Sequence, residues 1–328
     1  MIGKLRIYES TGLDPYANLA TEKHLLDSVR PGECILYLWQ NQNTVVIGKN
    51  QNPWVECRTS LLEAEGGKLA RRLSGGGAVF HDVGNLNFTF LLNEEDYDVD
   101  RQLSVIQAAC AMAGIRAEKS GRNDLLAEGF KFSGNAFYRA AKRAYHHGTL
   151  LIDVDMDKLQ RYLSPSKAKL AAKGVASVRS RVVNLKELSE NLTIDAMKDY
   201  MAAAFQKVYG SAAERIVLSK EELTAIEKLR QQYSSWEYVY GTPLPFTFEC
   251  QTRFPWGGIH VQLQAKNGLV QSAKVYSDSM DWQLPEKMEA ALTGCRFSAE
   301  DMANALQSAI ADPQIWEDIC NFLKEQSL

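Results

Sequence analysis

The chain has 328 residues, of which 37 are Lys or Arg and 40 are Asp or Glu, for a formal net charge of −3. That balance excludes a global basic field of the kind that holds nucleic acid, so any anionic ligand or partner must be met locally. The length suffices for two domains, or for one large domain with an appendage. Cysteines stand at 34, 57, 110, 250, 295 and 320 without a C-x-x-C pair, which argues against a disulfide framework or a zinc site and for reduced thiols. "MIGKLRIYES" carries no basic-then-apolar signal segment, and no stretch approaches the roughly 20 apolar residues of a membrane span. The expectation is a soluble, cytoplasmic protein, with nothing demanding more than a monomer.

Residues 4–8, "CILYLW" from 34 and "TVVIGKN" from 44 are β-branched or aromatic runs bounded by polar turns, which predicts strands. Between the first two, "YANLATEKHLLDSV" places Leu19, Leu25, Leu26 and Val29 on one face of a helix. After three glycines at 75–77, Leu86, Phe88, Phe90 and Leu92 alternate with Asn85, Asn87, Thr89 and Leu91, the period of a half-buried strand. A helix follows from about 100 to 113, closed by Gly114. "LLAEGFKFSGNAFYRA" and "AYHHGTLLIDVDM" read as strands joined by tight turns, which favours antiparallel pairs. A helical zone spans 185–232, and "WEYVYGTPLPF" opens a second unit of three strands followed by two helices. The fold class is therefore α+β. A large unit (1–243) carries mixed, mostly antiparallel sheets flanked by helices, and a small α+β unit follows (244–328).

Three features could carry chemistry. "RRLSGGGAVFHDVGNLNFTF", from Arg71, sets two arginines and Ser74 before Gly75, Gly76 and Gly77. It lacks the Gly-Lys-Ser/Thr ending of a Walker loop and opens a strand, where a dinucleotide fingerprint would open a helix. A bare turn and an anion-binding backbone both remain open, with Arg71 and Arg72 supplying forked donors beside approachable main chain. "GRNDLLAEGFKFSGNAFYRA" sets Lys131 between Phe130 and Phe132. This is either an inward lysine facing a pocket or one paired with an acid such as Asp124 to brace a strand. The acid-free interval from Lys158 to Lys186 holds Arg161, Lys167, Lys169, Lys173, Arg179 and Arg181 around Gly174, a local anion site or a solvated loop.

These blocks, with "KLAAKGVASVRSRVVNL", resemble in order the signature segments of two-domain bacterial lipoate-protein ligases, and "WEYVYGTPLPF" resembles the opening of their accessory domain. The resemblance implies a catalytic domain of the biotin/lipoate ligase fold that joins lipoate to ATP as lipoyl-AMP, releasing pyrophosphate. The acyl group then passes to a lysine of a lipoyl domain, belonging to a 2-oxo acid dehydrogenase acyltransferase subunit or to the glycine-cleavage H protein. A carboxylate must there meet an anionic α-phosphate, which calls for fixed cations, Mg²⁺ and preorganised N–H donors. The resemblance places Lys131 on lipoyl carbonyl and phosphate, as charge stabiliser. It places Arg71 and the backbone of Gly76, Gly77, Ala78 and Val79 on nucleotide, with Ser74 and Gly75 beside them. Asp124 is a Mg²⁺ or ribose contact, or a turn-former. His81 and His147 are lipoate-pocket residues or satisfied strand histidines, with no acid/base role assigned, and Gly134 is an implied pocket residue. Asn85, like Ser74, is a polar anchor or a strand-end residue. The basic interval resembles a segment that closes over the adenylate.

Octanoyl transfer is the nearest rival, but it uses a cysteine acceptor, and no cysteine occurs between Cys110 and Cys250. Biotin ligation implies a glycine-arginine-glycine loop that "RRLSGGGAV" does not supply. A non-catalytic lipoate-binding protein would have less need of Arg71, the glycines and Lys131 together.

Overall fold

The structure, a computed structural model, describes residues 2–121, 123–163, 182–241 and 245–326. Eleven strands lie in the larger part: β1 (Lys4–Glu9), β2 (Glu33–Trp39), β3 (Thr44–Ile47), β4 (Lys68–Arg71), β5 (Val79–His81), β6 (Asn85–Asn93), β7 (Glu118–Ser120), β8 (Asp124–Ala127), β9 (Phe130–Ala140), β10 (Arg143–Leu151) and β11 (Ala213–Arg215). Eight of them form one sheet in the order β11-β1-β2-β6-β10-β9-β8-β7, and three form a small sheet, β4-β3-β5. Pairing is antiparallel except for β1 with β2 and β11, and β3 with β4.

Register decides which side chains share a surface. Directly opposed residues point to the same side of a sheet, and i, i+2 neighbours continue that side. Tyr138, Tyr145, Leu91 and Ile35 form one row across β9, β10, β6 and β2, and Ala136, His147, Thr89 and Tyr37 form the next. In the third row Thr149 opposes Asn87 and Asn87 opposes Trp39, with the Gly134 N–H on Thr149 Oγ1 at 3.2 Å. The opposite face, carrying Leu36, Leu86, Phe88, Phe90 and Leu150, packs on helices Val99–Met112 and Ile194–Tyr209 through Ile106, Ala109, Met201 and Phe205. The first face is covered by helix Pro15–Ser28, by helix Lys220–Tyr233 and by the small sheet. β6 is thus buried on both sides, not half-buried as its alternation suggests. Its polar positions, Asn85, Asn87 and Thr89, face the protein interior.

The helical zone after 185 is interrupted by β11, which adds a parallel edge to β1. Residues 245–326 hold a three-stranded antiparallel sheet, β12 (Phe248–Phe254), β13 (Gly257–Lys266) and β14 (Leu269–Ser277). Three helices cover it, where the sequence suggested two: Leu284–Leu292, Ala299–Gln307 and Pro313–Lys324. Pro285 and Pro313 sit at helix starts, where the missing N–H costs nothing. Val261, Leu263, Met288, Leu306 and Ile319 form the core of this part.

Candidate active site

A cavity of about 250 Å³ lies between the first face of the large sheet and the glycine loop, and the C-terminal part closes its remaining side. Its two ends differ. Trp39, Leu19, Val46, His81 and Asn87 line one end and are all nearly inaccessible. Lys131 and Asp124 line the other, with side chains 27% and 24% exposed. From β9 to β2 is three strand spacings, on the order of 14 Å, a span that suits a medium-length acyl chain.

Two hydrogen-bonded relays descend to this cavity from the inner stripe of helix Pro15–Ser28, where Asn18 and Glu22, four residues apart, are both buried. In the first, the Asn18 amide donates to the carbonyls of Gly12 and Gln40 and to Asn41 Oδ1 at 3.0 Å. Asn41 then presents its own amide N–H to His81 Nδ1 at 3.1 Å. In the second, Glu22 Oε1 accepts from Thr89 Oγ1 at 2.8 Å and from His147 Nδ1 at 2.9 Å. His147 Nε2 meets Ser74 Oγ at 2.8 Å, and Ser74 Oγ accepts from Arg72 Nε at 3.0 Å. Trp39 Nε1 donates to Thr89 Oγ1, which fixes the indole at the deep end. Burial, with Arg72 and His147 nearby, pulls the His81 pKa down to about 3, so at neutral pH its ring is uncharged.

Arg72 gives the glycine loop its shape. Its guanidinium donates to Val46 O at 3.1 Å, Gly75 O at 2.7 Å and Gly77 O at 2.8 Å. Gly76 turns through φ +87°, a region that non-glycine residues seldom occupy. A Cβ on Gly75 would lie 2.3 Å from Ser279 O, so the glycine run is where the C-terminal part approaches most closely. The Gly76 N–H is donated to Ser279 O at 3.1 Å.

At the open end, Lys131 Nζ pairs with Asp124 Oδ1 at 2.6 Å. The two alternatives left open for this lysine are both true: the ammonium is braced by Asp124, and it lines the cavity. Gly134 leaves room for this side chain: a Cβ there would stand 3.0 Å from the ammonium and shift it by a few tenths of an ångström. From the C-terminal part, Arg253, Trp256, Asp278 and Met280 complete the wall. Trp282 stacks on Tyr138 at 4.9 Å, and Lys49 Nζ lies 4.0 Å from the Trp282 ring.

The structure therefore brings together on one cavity Gly76, Gly77, Ala78, Val79, His81, Asp124, Lys131, Gly134 and His147. Arg71 is a correction. It is not among the lining residues, and its guanidinium is spent on the carbonyls of Gly48, Lys49, Gln51, Tyr238 and Val239. The inward arginine is its neighbour Arg72, one residue past β4, where the N–H still bonds Ile47 O and the alternation of an extended chain turns the side chain the other way. Ser74 and Gly75 support the wall from behind, through His147 and Arg72. Asn85 is also off the cavity, donating to Asn87 Oδ1, and Asn87 is the lining residue. Of the basic interval, Lys158, Arg161 and Lys186 pair with Asp155, Glu65 and Asp153. Lys167, Lys169, Lys173, Gly174, Arg179 and Arg181 lie outside the described residues. The sequence reading missed Glu22, Trp39, Arg72 as the wall arginine and the whole C-terminal contribution. Only an acid and an amide on a helix face that also carries Leu19, Leu25 and Leu26 could have signalled the Asn18–Glu22 stripe.

Comparison with known proteins follows from this geometry. The lipoyl protein ligase A/B catalytic domain matches residues 14–206, and the bacterial lipoate protein ligase C-terminus matches residues 244–321. A lipoate-protein ligase A of Psychrobacter cryohalolentis is 40% identical over 307 residues, 91% of each chain. One of Bdellovibrio bacteriovorus is 40% identical over 312 residues, 93% of this chain and 92% of its own. Among solved structures, P. falciparum LipL1 in complex with lipoate is similar at a TM-score of 0.85 and 25% identity, covering 98% of this chain and 100% of that one. With its larger part matched from residue 14 to 206 and relatives 40% identical along nearly the whole length, the chain belongs to the lipoyl protein ligase A/B family.

Proposed function

We propose that the protein is an ATP-dependent lipoate-protein ligase, with residues 1–243 as the catalytic unit and 244–328 as the accessory unit. The observation that carries this is the joint lining of one slot, sealed at its far end, by the Lys131 ammonium and the Gly76–Gly77 backbone. An acyl chain lies along the Gly134–Thr149–Asn87–Trp39 row with its carboxylate at Lys131. The carboxylate oxygen bonds to the α-phosphorus of ATP as the bond to the β-phosphate oxygen breaks and pyrophosphate leaves. Lys131 neutralises two anions as they meet, and a fixed donor in that position contributes about 10²–10³ in rate. The neutral ε-amine of an acceptor lysine then attacks the acyl carbonyl, the bond from that carbon to the phosphate oxygen breaks, and the amine proton is lost as AMP leaves with its phosphate charge met by the Lys131 ammonium.

The described residues hold no cluster of three metal-binding side chains. An Mg²⁺ ion carried in on ATP phosphates needs only one or two carboxylates, and the cavity lining holds two among the described residues, Asp124 beside Lys131 and Asp278 of the C-terminal part. When bound, the ion supplies neutralisation of phosphate charge.

Cysteine-based acyl transfer is disfavoured, because no cysteine is among the cavity-lining residues. Burial pushes Cys34, Cys57 and Cys110 up to about 12 and Cys250 up to about 11, far from a reactive thiolate. All six thiols are free, in keeping with a reducing cytoplasm. No helix among the described residues is long and apolar enough to cross a membrane. The acceptor we assign is a lipoyl domain of a 2-oxo acid dehydrogenase acyltransferase or a glycine-cleavage H protein, met by a monomer. A similar structure pairs a bi-partite ligase of Thermoplasma acidophilum with its E2 lipoyl domain, at 25% identity and a TM-score of 0.65 over 76% of this chain and 100% of that one. The test is ATP–pyrophosphate exchange with and without lipoate, followed by the intact mass of candidate lipoyl domains incubated with ATP and Mg²⁺. Lipoate-dependent exchange and a lipoyl mass gain are expected, and exchange indifferent to lipoate refutes the reading.

A further inference from the structure

Lys131 and Gly134 line the same cavity, yet they stand three residues apart in β9. In a regular strand, residues an odd number apart face opposite sides of the sheet. The register shows how the chain departs from that rule. Asp124 opposes Gly134 and Leu125 opposes Ser133, but Leu126 opposes Lys131, so Phe132 stands opposite no residue of β8. It is the extra residue of a β-bulge, the irregularity that re-aims side chains within a sheet. Unbroken alternation from Gly134 would send Lys131 to the helix-covered face with Ser133 and Asn135, where Asn135 Oδ1 meets His146 and His146 meets Gln102.

Both ends of the bulged stretch are pinned. At the hairpin tip the chain turns through Glu128 and Gly129, at φ +50° and +82°, between the paired residues Ala127 and Phe130, a two-residue turn that sets register. At the other end the Asn135 N–H donates to Asn123 O at 2.8 Å, and Asn123 Nδ2 donates to Asn135 O at 3.1 Å. One surplus residue must be absorbed between these fixed pairs, and the point of absorption sets the side on which Lys131 emerges. Phe132 sets that point. It is fully buried in the core that also holds Leu125, Ala127 and Phe88, so Phe132 and Ser133 both lie on the helix-covered side and Lys131 is turned to the other. We infer that Phe132 is a positioning residue for Lys131: its burial fixes the bulge, and the bulge turns the ammonium into the cavity over Gly134. This rests on the ligase reading, which gives Lys131 its work on carboxylate and phosphate. Phe132 does not line the cavity and acts only through its neighbour.

The experiment is a double-mutant cycle on the full chain. It reads kcat in lipoate-dependent ATP–pyrophosphate exchange for Phe132→Ala, Lys131→Ala and the two together, each corrected for the folded fraction found by urea denaturation. Phe132→Ala is expected to lower kcat by about 10- to 100-fold, the scale of a misplaced catalytic group. Phe132→Leu, which keeps apolar bulk on the core side, is expected to restore most of that rate. In the Lys131→Ala background the Phe132→Ala change is expected to cost less than about twofold, because no ammonium is left to aim. A purely structural role for Phe132 gives the same fold-loss in both backgrounds, and that result overturns the inference. So does an unchanged kcat in Phe132→Ala. Phe132→Val takes the place of Phe132→Ala in the cycle, with the same outcomes, if the alanine variant does not fold. A wild-type chain without lipoate-dependent exchange overturns the ligase reading instead, a different result.

Discussion

The sealed end of the cavity and its mouth are built by different physics. The sealed end is assembled from strands of both sheets, β2 and β6 of the large one and β3 and β5 of the small one, and is braced by two relays from one helix. The mouth gathers Lys131 and Asp124, the glycine loop and residues of a second structural unit, and its groups are partly exposed. The contrast teaches that shape recognition is stored in sheet geometry, where it is rigid, while the charged chemistry sits where segments distant in sequence converge.

Substitutions at the two ends should therefore fail in different ways. Lys131→Ala is expected to lower lipoate-dependent exchange by about 10²–10³ while shifting unfolding free energy by less than about 1 kcal/mol, since its ion pair is solvent-accessible. Exchange kinetics and urea denaturation on the same sample check both halves. Glu22→Ala reverses the pattern. Thr89 Oγ1 and His147 Nδ1 lose their common acceptor inside the core, so about 3 kcal/mol of stability is expected to go, visible as a lower urea midpoint.

Acid probes the buried histidines on both faces of the large sheet, His81 at the sealed end and His146 among Phe88, Phe90 and Gln102 on the other side. His81 and His146 are both held near a pKa of about 3 by burial, against about 6.5 in the unfolded chain. Between those values the unfolded state binds protons that the folded state does not, so stability falls as pH drops below about 6.5. At pH 5 the loss is about 2 kcal/mol for each histidine, and thermal melts from pH 7 to 5 should show it. A melt flat over that range would contradict the buried neutral rings. The smallest effect belongs to the mouth: Gly75→Ala places a Cβ 2.3 Å from Ser279 O. It should loosen the contact with residues 277–280 and speed hydrogen exchange at the Gly76 amide, leaving β6 and β10 protected.

What was legible in the sequence follows the same division. Strands with strong alternation, such as β6, and helices with clear stops, such as the one before Gly114, could be read because local propensity and tertiary placement agree. The glycine run and Lys131 could be read as sharing a site because the blocks are distinctive in order, and both line the cavity. Arg71 and Arg72 could not be told apart, since adjacency alone does not say which residue of a strand faces inward. The Asn18–Glu22 stripe was hidden because a buried polar face lowers the amphipathic contrast by which a helix is recognised. The third helix of the C-terminal part, Pro313–Lys324, is parted from Ala299–Gln307 by only five residues, and that part's share of the cavity depends on docking between units, which no local pattern encodes.

The central claim is the direction in which an acyl chain lies between these two ends. A crystal structure of the chain soaked with lipoate tests it most directly. The carboxylate is predicted within hydrogen-bonding reach of Lys131 Nζ, with the dithiolane between Trp39 and His81. A lipoate found reversed, with its carboxylate against His81 and its ring at the mouth, would contradict the account.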